Sequence, residues 1–123
     1  MGRKMLEIEE SGDITIIRIT EKKLYQDTIT PFQEKMVSLM NEGRCKLIVD
    51  LSEVDVMNSS GLGVLILTWD RLSQEDGHLV IAGLGSLMEE LFKRMRLDLI
   101  FTVVKTTEEA LQIIRGDKKI PAS

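Results

Sequence analysis

Leu47-Ile48-Val49 is an apolar run too short for a helix. A polar interval follows it, then Asn58-Ser59-Ser60, then Leu62, Leu65, Ile66, Trp69 and Leu72 at helical spacing. A buried strand that leads into an amphipathic helix is half of a β-α-β unit, and here the pattern recurs. Lys46–Asp50, residues 79–82 and a short run near 101–104 read as strands, while residues 60–74, a stretch from Ser86 and a stretch from Thr107 to about Arg115 read as helices. Such alternation predicts an α/β fold with a mainly parallel central sheet of about five strands and about four helices packed on it, each crossover right-handed.

The flanking residues set the expected boundaries. Residues 5–9 and Ile14–Ile19 are β-rich runs joined at Ser11-Gly12-Asp13, which predicts an N-terminal hairpin. Residues 21–28 read as a polar loop. Thr30-Pro31-Phe32-Gln33 offers an N-cap, a proline at the first helical position and a glutamine at the third, so a helix is expected to start there. Its buried face would be Phe32, Met36, Leu39 and Met40, and Asn41-Glu42-Gly43 would end it. Glu75-Asp76-Gly77 closes the next helix. Ser86-Leu87-Met88-Glu89 reads as a capping box ahead of an apolar face of Leu87, Leu91 and Met95, with Met88, Met95 and Phe92 packed inward or along the helix edge. Thr106-Thr107-Glu108-Glu109 caps the last helix. Residues 1–115 are expected to form one domain and residues 116–123 a flexible tail.

Composition narrows the function classes. A chain of 123 residues fits one domain and buries roughly two-thirds of its unfolded surface. Its apolar runs are far too short to span a bilayer. No apolar segment follows Met1-Gly2-Arg3-Lys4, so no secretory signal is expected and the cytoplasm is the expected compartment. A net charge of −4, with basic pairs only at Lys22-Lys23 and Lys118-Lys119, gives no nucleic-acid footprint. The lone Cys45 reads as a small residue entering a strand, and the lone His78 as an exposed loop residue. One histidine and one cysteine cannot make a triad or a zinc site, so neither catalytic nor metal-ligating residues are assigned and no cofactor is expected. Gly61-Leu62-Gly63 and Gly83-Leu84-Gly85 lack the third glycine of a dinucleotide fingerprint and the Lys-Ser/Thr of a phosphate loop.

The chemistry concentrates at Asn58-Ser59-Ser60-Gly61-Leu62-Gly63. At a strand-to-helix junction, Asn and Ser side chains can cap free N–H groups, and the positive end of the helix dipole favours negative charge. The segment resembles the signature of STAS domains of the anti-sigma factor antagonist type, in which an Asp-Ser-Ser/Thr-Gly-Leu-Gly turn carries a phosphorylated serine. The likeness runs from Leu6 to about Arg115. It implies a STAS-like fold, Ser59 as phosphoacceptor, and Asn58, Ser60, Gly61 and Gly63 as its surroundings, the glycines letting another backbone approach. The family's usual Asp is replaced by Asn58, and Lys22, Lys23 and Tyr25 stand where the family shows a Gly and an acidic residue. By position, Ser60 is expected to serve in capping.

The resemblance further implies a non-enzymatic partner switch. The unmodified domain binds an anti-sigma factor serine kinase, the kinase phosphorylates it and ends the association, and a PP2C-type phosphatase restores it. Met57, Ser59 and Leu62 are the expected partner contacts, although periodicity slightly favours a core position for Met57. The chain is expected to be a monomer or weak dimer, binding neither nucleic acid nor membrane. Two alternatives stay open: a constitutive STAS module of a signalling complex or lipid-transporter ATPase, unphosphorylated, and a nucleotide-binding protein resting on its glycine turns.

Overall fold

The computed structural model describes residues 5–116; of the expected tail at 116–123 only Gly116 is described, as the residue that ends the last helix, and residues 117–123 and 1–4 lie outside. β1 (Leu6–Ser11) and β2 (Ile14–Ile19) form the antiparallel hairpin, with Leu6 opposite Ile19 and Ser11 opposite Ile14. Gly12 turns it at φ +64°, a left-handed conformation open to glycine without steric cost. β3 (Lys23–Leu24) leads into α1 (Gln26–Asn41), followed by β4 (Lys46–Asp50), β5 (Val56–Met57) and α2 (Ser59–Gln74). Then come β6 (His78–Ala82), α3 (Ser86–Arg94), a single 3-10 turn at Leu97–Leu99, β7 (Thr102–Val104) and α4 (Thr107–Arg115).

The main sheet has the order β1-β2-β4-β6-β7, parallel from β2 onward, and β3 and β5 make a separate parallel pair. Its central strands are covered on both faces, which is why Leu47-Ile48-Val49 is apolar throughout instead of alternating. On one face Ile17, Ile19, Leu47, Val49 and Ile81 pack against α1, α2 and α3; on the other, Ile14, Ile16, Ile48 and Val80 lie under Ala110 and Ile113 of α4. The fold is thus the expected α/β one, with its hairpin, five-stranded sheet and four helices.

Several boundaries differ from expectation, each for a local reason. α1 starts at Gln26, not after Thr30, so residues 21–28 are not a plain loop. The Tyr25 backbone N–H donates to Thr28 Oγ1 at 3.0 Å, which supplies a cap one turn earlier and leaves Pro31 inside the helix. Leu24 and Ile29, both buried, anchor that turn to the core. α3 takes Gly85 as its N-cap, and no side chain caps it; Ser86 is already the first helical residue and stands one position too late. Its buried residues are Met88 and Phe92, whereas Leu87 is 69% exposed and Met95 is exposed as well. The two stripes are neighbours on the helix, and the aromatic one wins the core: the rings of Phe92 and Phe101 sit 6.0 Å apart. On α2, Leu62, Leu65 and Leu72 are buried as expected, but Trp69 and Ile66 are only half-buried at the border of the core.

Candidate functional site at the α2 N-terminus

The β3–β5 pair holds the turn that precedes α2. Lys22 O accepts from the backbone N–H groups of Asp55 and Val56 at 2.7 and 3.2 Å, and Leu24 O accepts from that of Asn58 at 3.3 Å. Asn58 is thereby fixed as the N-cap: its Oδ1 accepts from Gly61 N at 3.1 Å, and its carbonyl accepts from Leu62 N at 3.2 Å. Capping belongs to Asn58, not to Ser60 as the sequence suggested. Asparagine caps as well as aspartate does, because the bond needs a side-chain oxygen and no charge.

Ser59 and Ser60 are the first two helical residues, and both are exposed. Their N–H groups have no carbonyl one turn back, so they face outward with the positive end of the helix. Gly61 is buried for a specific reason. A Cβ there would lie 2.5 Å from Met57 Cγ and 3.3 Å from Leu24 Cδ2, so the methionine side chain fills the space under the turn. Gly63, by contrast, meets nothing within 4 Å in its Cβ direction and leaves the α2 backbone open to approach. Met57 and Leu62 are 4% and 3% exposed, so they support the turn from inside, and Ser59 alone of the expected contacts lies on the surface.

A charged group that the sequence reading passed over closes β4. Asp50, at the end of β4, is buried and accepts from Arg18 Nε and from Ser52 N, each at 2.9 Å. Burial alone would push its carboxyl up, but the hydrogen bonds from Ser52 and Arg18 and the guanidinium charge outweigh it and hold the group below its usual range. The signal available in the sequence was an aspartate closing an otherwise apolar strand. Gly83, at φ +80°, would bring a Cβ 2.9 Å from Ser52 Cβ and 3.2 Å from Asp50 Oδ1, so packing and backbone account for this glycine. Cys45 is a half-buried free thiol and His78 is the exposed first residue of β6. Among the described residues no three His, Cys, Asp or Glu side chains gather to hold a metal ion, and no helix is long and apolar enough to cross a membrane.

The STAS domain family model matches residues 5–110. The chain belongs to the STAS domain family. As a STAS domain it is 32% identical over 81 residues to the anti-sigma-B factor antagonist of Staphylococcus epidermidis, covering 66% of this chain and 75% of that protein. A putative anti-sigma factor antagonist from Thermotoga maritima shares its fold at a TM-score of 0.82, with 23% identity over 90% of this chain and 95% of that one. The Bacillus cell fate determinant SpoIIAA in its phosphorylated form also superposes, at a TM-score of 0.72 and 20% identity, covering 89% of this chain and 99% of that one.

Proposed function

We propose that this STAS domain is an anti-sigma factor antagonist, a cytoplasmic binding protein without turnover of its own, switched off by phosphorylation of Ser59. In the unmodified state it binds an anti-sigma factor serine kinase through the exposed start of α2. The kinase transfers phosphate to the Ser59 hydroxyl and releases the domain, and a PP2C-type phosphatase restores it.

The observation that carries this reading is the exposed Ser59 hydroxyl at the first position of a capped 16-residue helix. A phosphate there adds a charge of about −1.5 to −2 and meets outward-facing N–H groups and the positive helix end, so the domain itself tolerates it. Asn58 contributes to that tolerance, since an aspartate in its place would repel the modified serine. The partner is where the cost falls: against a carboxylate about 4 Å away, at an effective dielectric near 20, each unit of charge costs about 4 kcal/mol before screening. A tenfold loss of affinity takes only about 1.4 kcal/mol.

Mass spectrometry after incubation with the organism's own anti-sigma factor kinase and ATP tests this directly. Phosphate is expected on Ser59, absent from Ser59→Ala and retained in Ser60→Ala, and Ser59→Asp is expected to lose affinity for the kinase. Phosphate confined to Ser60 would move the role one residue on, and equal affinity for modified and unmodified domain would make it a constitutive module.

A further inference from the structure

Leu67 sits on the outer side of α2 and is 64% exposed, and Val37 on α1 is 40% exposed. Between them runs an open groove of about 270 Å³ with Met36, Met40 and Val64 along its floor. Unbranched methionines are the residues best able to reshape a floor around an incoming side chain. Asp70 borders this groove, and Glu34 and Glu42 line an adjoining hollow on α1 that shares Gln33 and Val37 with it, so acidic groups flank the apolar floor. The cation lining it is Arg71, which Glu75 and Asn41 engage at 3.4 and 3.0 Å. Among the described residues, the hydrogen bonds that Asp70 and Glu42 accept come from the neutral side chains of Gln74 and Ser38, which leave their charge in place.

We propose that this groove receives an apolar segment carrying Lys or Arg from the same anti-sigma factor that engages Ser59, an inference that rests on the reading given above. Such a segment places apolar side chains on Leu67, Val37 and the methionine floor, and cations over the rim, as an amphipathic helix does in a groove. One partner can cover both places. Ser60, Gly63 and Leu67 follow one another at spacings of three and four, hence on one side of α2. Ser59 and Leu67 are about 12 Å apart along the axis at 1.5 Å per residue. An ordinary interface of about 800 Å² per partner spans that distance easily. Gly63, between them and open on its outer side, lets the partner come close to the helix backbone.

Isothermal titration of the purified kinase with wild type, Leu67→Asp, Leu67→Ala, Asp70→Lys and Ser59→Asp tests the groove, with thermal melts to establish that each variant is folded. Leu67→Asp is expected to weaken binding about tenfold or more at an unchanged melting temperature, Leu67→Ala by less. Asp70→Lys is expected to weaken it several-fold and flatten its salt dependence. Wild-type affinity in folded Leu67→Asp together with loss in Ser59→Asp would overturn the groove and leave the antagonist reading standing. Failure of the wild-type domain to bind the kinase would overturn both. Self-association in sedimentation velocity, lost in Leu67→Asp, would give the groove to a second copy of this chain and overturn the proposal.

Discussion

β4 and β6 lie side by side with Asp50 and Ala82 at matching register, and a Gly-Leu-Gly sequence follows each, inside the start of α2 at residues 61–63 and ahead of α3 at residues 83–85. The two continuations behave differently. Beyond β4 the chain passes through β5, is pinned to β3, and enters α2 through a side-chain cap with an exposed serine directly after it. Beyond β6 it turns at once through Gly83 in a left-handed conformation and enters α3 through Gly85, where no side chain caps. Glycine spacing therefore does not make a site. What distinguishes the α2 start is the second small sheet, which fixes Asn58 and leaves the next hydroxyl outside.

The largest contrast to test is which side of α3 is buried. Phe92→Ala is expected to cost about 3–5 kcal/mol and Leu87→Ala no more than about 0.5 kcal/mol in urea unfolding. Equal costs would restore the Leu87-Leu91-Met95 stripe as the core face and remove the difference between the helices. Smaller is the effect of Asp50, for which β6 has no counterpart. Asp50→Asn is expected to cost about 1–3 kcal/mol at neutral pH, because Arg18 and Ser52 lose a charged acceptor. The folded carboxyl titrates below its unfolded value, so its stabilisation is present above that unfolded value and disappears as pH falls through the folded one. The gap between wild type and Asp50→Asn should then close in acid; a gap that widens would assign Asp50 the opposite shift. Smallest are the caps themselves. Asn58→Ala is expected to cost about 1 kcal/mol, and Ser86→Ala no more than about 0.5 kcal/mol, by thermal melting. A Ser86 cost as large as that of Asn58 would give α3 the side-chain cap it lacks here.

Elements with a period long enough to repeat were legible from residues alone. The Ile14–Ile19 and Lys46–Asp50 strands, the Phe32-Met36-Leu39-Met40 face and the Thr106 cap, whose Oγ1 accepts from Glu109 N at 3.1 Å, are present as expected. Two-residue strands carry no period, so β3 and β5 were invisible, and with them the early start of α1 at Tyr25. Where two adjacent apolar stripes competed on α3, spacing could not choose, and ring packing with Phe101 did. At the site the turn residues and the buried face of Leu62 were readable, while the seat of Met57 under the turn depends on Gly61 having no Cβ to exclude the methionine.

The sheet order β1-β2-β4-β6-β7 follows the order of the chain. Each new strand of this sheet therefore joins an edge that already exists, and none has to insert between two others, which suits growth from the N-terminus during synthesis. The two faces are not completed together. α1, α2 and α3 cover theirs as the strands arrive, but Ile14, Ile16, Ile48 and Val80 wait for Ala110 and Ile113. Until Thr107–Arg115 has left the ribosome, the nascent sheet carries an uncovered isoleucine and valine face, the kind of surface that chaperones hold and that truncated chains aggregate through.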